Sequence, residues 1–149
     1  MITTKRTNSD DKNFQKLVKL LDFELQERDG EEHFFYAELN KTNTLIFVIV
    51  AYDIEEPIGC GAIRDYSNNT MEVKRMFVPL HKRGQGIASK ILNELEIWCR
   101  ELGIKKCILE TGKNQPEAIA LYLKNHYKII PNFGKYKGVE NSVCFEKEL

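Results

Sequence analysis

The sequence predicts an α/β fold of the α+β kind, a mixed and mostly antiparallel sheet of six to seven strands flanked by about four helices. Three observations carry that expectation. Apolar residues recur at helical spacing between Phe14 and Leu25 and again between Ala88 and Leu102. Between them, β-branched and small-residue segments are broken by short polar stretches, the mark of a meander. Beyond Gly84 the pattern changes to helix, strand, helix, strand.

Ile2 to Thr7 alternates weakly and reads as a first strand. Ser9 then suits an N-cap, with Asp10 and Asp11 in a first turn where the helix dipole favours negative charge. Phe14, Leu17, Val18, Leu21 and Leu25 give that helix an apolar face, and it ends near Asp29-Gly30. A shorter helix is expected over Glu32 to Glu38. Strands follow at Thr44 to Tyr52, Ile58 to Arg64 and Met71 to Val78, joined by the hairpin-length stretches Asp53 to Pro57 and Asp65 to Thr70. The next helix carries Ala88, Ile91, Leu92, Leu95, Trp98, Cys99 and Leu102 on one stripe. Lys90, Asn93, Glu94, Glu96 and Arg100 stand opposite, and Gly103 closes it. Lys106 to Thr111 reads as a buried strand, and Asn114-Gln115-Pro116-Glu117 as a helix start with Asn114 as the cap. Tyr127 to Ile130 and Ser142 to Glu146 are the last strands, joined by the loop Pro131 to Asn141.

The bulk numbers bound the function. A chain of 149 residues fits a single domain, 1–149, large enough to bury a core without metal or disulfide support. Lys plus Arg and Asp plus Glu are 22 each, which argues against nucleic acid or an anionic membrane as the main partner. Cys60, Cys99, Cys107 and Cys144 form no CxxC pair, and His33, His81 and His126 are scattered, so no metal site is expected. Buried thiols in a reducing compartment fit that spacing. With no signal peptide pattern and no apolar run near the ~20 residues of a membrane span, the expected location is the cytoplasm.

Chemistry concentrates in Met76 to Ala88, where a strand runs into a Gly-containing turn that opens an amphipathic helix. First-turn amides of a helix lack internal acceptors, and the dipole adds positive potential, so such a place suits phosphate oxygens. Gly84 and Gly86 allow close approach of a ligand to the backbone. A Walker loop is excluded by the missing Gly-Lys-Ser/Thr. A dinucleotide fingerprint is nearer, with Ser89 where its third small residue stands and Glu110 as a ribose-binding acid. It normally begins a repeated β-α-β series, however, and here the turn follows a meander.

Arg83-Gly84-Gln85-Gly86-Ile87-Ala88 resembles the Arg/Gln-x-x-Gly-x-Gly/Ala signature of the GNAT acetyltransferases. Ile58 to Arg64 is similar to that family's third strand, Val73 to Val78 to its fourth, and Asn114 with Ala118 to Tyr122 to its second cofactor segment. The resemblance implies an acetyl-CoA-dependent N-acetyltransferase that acts by direct transfer in a ternary complex, with no metal. It implies that the backbone from Arg83 through Gly84, Gln85, Gly86 and Ile87 to Ala88 cradles the pyrophosphate of coenzyme A. The strand Met76-Phe77-Val78 would pair with the pantetheine arm, in a slot where strands four and five splay, and Asn114 would bond the arm from the other wall. Tyr122 takes the place of the general acid that protonates the departing thiolate, against a plainer role packing its helix on the sheet. A backbone N–H near Val78 would polarise the thioester carbonyl. The family often has Gly where His126 stands here, and His126 is expected to adopt that turn conformation.

The general base is open among Glu72, placed first, then Glu110 and His33, or no base at all. Glu72 has a plain alternative as an ion-pair partner of Lys74 or Arg75. The acceptor expected is a primary amine of a small molecule. A protein lysine or N-terminus, and a non-catalytic acyl-CoA-binding role, are the alternatives. Glu31, Glu32, Asp65 and Glu72 suit a cationic amine, and Phe35, Tyr66, Phe133 and Tyr136 suit a wall for it. The loop Pro131 to Asn141 is open to a wall role or, by the resemblance, a homodimer contact.

Overall fold

The computed structural model describes residues 1–29 and 45–149. In chain order the elements are β1 (Ile2–Thr7), α1 (Lys12–Asp29), β2 (Phe47–Asp53), β3 (Glu56–Ser67), β4 (Thr70–Phe77), α2 (Ile87–Glu101), β5 (Lys106–Gly112), α3 (Pro116–Lys124), β6 (Lys128–Ile130) and β7 (Ser142–Glu148). Short 3₁₀ turns at Leu80–Lys82 and Gly134–Tyr136 complete them. The strands form one seven-stranded sheet in the order β1-β2-β3-β4-β5-β7-β6. Only the β4–β5 pair is parallel; the other neighbours run antiparallel. The mixed sheet and the meander are as the sequence predicts, with three α-helices among the described residues. The helix expected over Glu32 to Glu38, and Thr44 of the following strand, lie outside the described residues.

Alternation along the strands sorts side chains onto two faces. From β2, Val48 and Val50 join Phe14, Leu17, Val18 and Leu21 of α1, while Ile49 and Ala51 pack with Ile87, Ile91, Leu92 and Leu95 of α2. α2 packs its Ile91 directly against the glycines of β3. A Cβ at Gly61 would stand 2.5 Å from Met76 Sδ and 3.0 Å from Ile91 Cγ2, so no larger residue fits without repacking.

Several local expectations are corrected. The cap of α1 is Asp11, not Ser9: Asp11 Oδ1 accepts the Phe14 amide at 2.9 Å, whereas the Ser9 amide donates to Leu45 O. A helix beginning at Lys12 puts Asp11 at the position whose side chain reaches the third helical amide. At α3 the cap position falls to Gln115, with Pro116 first in the helix, and no side chain bonds the cap; Asn114 stands one residue outside. Glu96, expected on the outer face of α2, is buried, held by Lys147 Nζ at 2.8 Å and Tyr127 Oη at 2.9 Å. Two donors make that burial tolerable, and one of them comes from β7, distant in sequence. Leu102, expected on the apolar stripe, is exposed because the helix has already ended there.

His126 has φ of 73°, the left-handed conformation expected of it. Its amide bonds Leu123 O and the Tyr127 amide bonds Tyr122 O, the pair of bonds that closes a helix with a left-handed residue.

Candidate active site between the splayed strands

β4 and β5 pair only from Thr70 to Glu72 against Lys106 to Ile108. Beyond that point β4 carries a β-bulge. Cys60 faces Phe77 and Ala62 faces Lys74, so two residues, Arg75 and Met76, stand opposite Gly61 alone. Arg75 takes φ of 57°, which a non-glycine residue adopts only at a cost, here secured by its buried side chain bonding Asp22 Oδ1 at 2.6 Å. The bulge bends β4 away from β5, and the opening is walled by α1 and α3.

Two cavities occupy this opening. The larger, about 210 Å³, runs along the end of β4 and the turn before α2; the smaller, about 80 Å³, reaches between β4 and β5. Leu21, Met76, Gln115, Ala118 and Tyr122 line both, so the cavities adjoin at these residues.

The residues expected for cofactor binding gather at the larger cavity. Met76, Phe77, Val78, Arg83, Gly84, Ile87 and Ala88 line it. Gln85 and Gly86 belong to the same turn and are exposed. Gly84 and Gly86 have φ of 82° and 79°, and a Cβ at either would meet nothing within 4 Å, so the turn is an open cradle at the start of α2. Gly86 is the cap residue with no side chain over it, which leaves the first-turn amides of α2 facing outward. Asn114 is exposed and outside the lining, whereas its neighbour Gln115 faces both cavities. Arg83 fastens the turn to the strand: its Nε donates to Val78 O at 2.8 Å, and its Nη2 reaches both oxygens of Glu24 at 2.8 Å.

Tyr122 is buried where the cavities meet, its ring packed on Tyr127 and Phe145. No side chain or backbone group among the described residues hydrogen-bonds its hydroxyl. Burial raises its pKa well above the ordinary phenol value, and the nearby Glu110 charge adds to the effect. Its hydroxyl therefore stays protonated throughout the neutral range.

Glu72 lines the smaller cavity but is thoroughly engaged. Arg64 Nη2 lies 3.3 Å from Oε1, while the Tyr136 hydroxyl at 3.4 Å and Lys74 Nζ at 3.6 Å approach Oε2. Lys74 also donates to the Tyr136 hydroxyl at 3.2 Å. Burial lowers the Lys74 pKa, opposed by the Glu72 charge, and burial raises that of Tyr136. Of the two ion-pair partners named as the plain alternative for Glu72, Lys74 pairs with it and Arg75 goes to Asp22. Glu110 lines the same cavity and accepts the Ser142 hydroxyl at 2.6 Å. Tyr66, Phe133 and Tyr136 stack edge to face in sequence, at 5.3 and 5.5 Å between centroids. His33, Phe35, Glu31 and Glu32 lie outside the described residues. No cluster of three or more His, Cys, Asp or Glu among the described residues is arranged to hold a metal ion.

Sequence reasoning missed the contribution of α1. Leu21, Glu24 and Arg28 wall the larger cavity, while Tyr136, expected as a wall residue, lies outside the lining of both cavities and meets Lys74 and Glu72 behind the smaller one. The only trace of the α1 wall in the sequence is the four-residue spacing of Glu24 and Arg28 on one helix face.

Residues 14–127 match the sequence profile of the acetyltransferase (GNAT) family. A protein named IAA acetyltransferase from Azospirillum brasilense is 40% identical over 93 residues, covering 62% of this chain and 61% of that protein. The match thus spans about three fifths of that relative's length. Among solved structures, a Klebsiella pneumoniae protein assigned as an acyl-CoA N-acyltransferase superposes with a TM-score of 0.84 at 29% identity, covering 100% of this chain and 98% of that one. A GNAT family acetyltransferase from Elizabethkingia anophelis with acetyl-CoA bound gives a TM-score of 0.69 at 20% identity, over 99% and 98% of the two chains, a likeness of fold.

Proposed function

The chain belongs to the acetyltransferase (GNAT) family, and from that premise we propose that it transfers the acetyl group of acetyl-CoA to a primary amine of a small molecule, directly and in a ternary complex. One observation carries the reading: an open glycine cradle at a helix start and a buried tyrosine hydroxyl with no hydrogen-bond partner among the described residues lie on two adjoining cavities.

The residues present fit the cosubstrate. The outward amides at Gly86 to Ala88 suit its pyrophosphate, and the β4 backbone from Met76 to Val78 suits pairing with its amide-bearing arm. Gln115, which faces the cavities, is proposed for the polar role that the family resemblance implies for Asn114. When bound, acetyl-CoA supplies an activated acyl carbon with a thiolate leaving group. An amide N–H near Val78 polarises the thioester carbonyl. Tyr122 gives its proton to the departing sulfur, and its burial keeps that proton in place until needed.

The acceptor amine enters through the smaller cavity and loses one proton there. The full engagement of both Glu72 oxygens supports a positioning role for that residue, holding Lys74 and Tyr136 in place. The proposed base role moves to Glu110, which shares the cavity with Tyr122. A cavity of about 80 Å³ walled by Leu21 and Leu25 suits a compact amine better than a peptide.

The test is incubation with acetyl-CoA and parallel panels of small amines and lysine-containing peptides, following thiol release and acetylated product by mass spectrometry. Turnover on a small amine exceeding that on every peptide is the expected result. Turnover on peptides alone would transfer the reading to a protein acetyltransferase, and tight binding without turnover on either panel would make the protein an acyl-CoA binder.

A further inference from the structure

Four charged side chains from three separate elements meet across the larger cavity. Arg83, from the turn before α2, directs its Nη2 onto both oxygens of Glu24 on α1 at 2.8 Å. One helical turn along α1, Arg28 lies 3.8 Å from Glu24 and forks onto Glu117 of α3, at 3.1 and 2.7 Å. All four line the cavity, with Lys82 beside them. Two carboxylates therefore stand where the proposed function needs a pyrophosphate, and each is held by a guanidinium.

A guanidinium fork accepts phosphate oxygens in the same paired geometry as carboxylate oxygens. The existing pairs are also partly open to water, Arg28 at 24% and Glu117 at 57% exposure, so exchanging one anion for another costs little. Lys82 is itself paired with Glu56 at 3.5 Å, so while the pairs persist each of these cations is matched by a carboxylate, a poor setting for a ligand carrying several negative charges. Swinging Glu24 and Glu117 out to solvent exposes both guanidiniums.

We propose that Arg28 and Arg83 are paired phosphate ligands of the cofactor, supplied from opposite walls, and that Glu24 and Glu117 occupy their forks in the free protein until phosphate displaces them. This rests on the acetyl-CoA reading above. It adds α1, an element outside the Gly-containing turn, to the cofactor site. Glu24 and Glu117 act as internal competitors that weaken binding of any phosphate-bearing ligand.

The experiment is calorimetric titration of coenzyme A into the parent protein and into Glu24→Gln, Glu117→Gln and Arg28→Gln, at low salt. S-acetylpantetheine, which lacks phosphate, serves as a second probe by competition. Each Glu→Gln change removes a like charge close to the ligand phosphates and is expected to tighten coenzyme A about three- to tenfold. Arg28→Gln is expected to weaken it about tenfold, with S-acetylpantetheine unmoved in all three. Unchanged or weaker coenzyme A affinity in both Glu→Gln variants overturns the proposal, as does undiminished affinity in Arg28→Gln. Should Arg28→Gln melt early, the two glutamine variants, which keep side-chain shape, decide the matter. A parent protein that does not bind coenzyme A overturns the proposed function itself; a parent that binds, with variants that match it, overturns only the clamp.

Discussion

Replacing Tyr122 with Phe isolates one hydroxyl. The ring keeps its packing on Tyr127 and Phe145, with centroids 5.8 and 5.6 Å away. The lost oxygen has no hydrogen-bond partner among the described residues, so the stability change should stay within about 0.5 kcal/mol and the melting temperature within about 2 °C. Catalysis should respond quite differently. A positioned general acid contributes roughly 10²–10⁴ in rate, so kcat should fall at least about 100-fold, equivalent to about 2.7 kcal/mol of barrier. Calorimetric affinity for acetyl-CoA should be preserved, because the phosphate cradle lies at the other end of the cavity. The assay is steady-state thiol release on the best amine found, with melting curves and acetyl-CoA titration run on the same preparation. An unchanged kcat would refute the acid role outright. A rise in KM with kcat intact would make Tyr122 a wall of the cavity and nothing more.

Gly86→Glu should abolish acetyl-CoA binding while the protein still folds, since the new side chain projects into the open cradle and repels phosphate, at a conformational cost of about 1–2 kcal/mol from φ of 79°; titration alongside a melting curve checks it, and retained binding would place the site elsewhere. Asp11→Ala should cost about 1 kcal/mol and lower the melting temperature by about 2–4 °C, whereas Ser9→Ala should do neither, because only Asp11 caps α1. Glu110→Gln should lower kcat by about 100-fold or more with acetyl-CoA affinity retained, while Glu72→Gln should destabilise the protein by breaking a buried cluster with Lys74; the reverse pattern in rates and melting would return the base role to Glu72.

The sheet was legible because the strand pattern is local. β-branched runs and the short turns at Ile54-Glu55 and Asn68-Asn69 show the meander directly. The Gly-containing turn was legible because its conformation is backbone conformation, carried by two glycines of positive φ at the start of an amphipathic helix. The site's second wall was not. Glu24 and Arg28 read as the solvated face of a helix until α1 is laid across the end of β4, where Arg83 and Glu117 meet them. Glu96 misled for the same reason: its partners Lys147 and Tyr127 are 51 and 31 residues away. The partners of Glu72 were equally out of reach, since Arg64 and Tyr136 come to it from β3 and the long loop.

The central claim is that the turn from Arg83 to Ala88 holds the phosphates of acetyl-CoA. Calorimetric titration with acetyl-CoA, run in parallel with NAD and ATP, tests it most directly. The account predicts selective micromolar binding of acetyl-CoA, with NAD and ATP silent at the same concentrations. Binding of NAD or ATP in its place, or of none of the three, would contradict it and leave the family membership as a statement about fold alone.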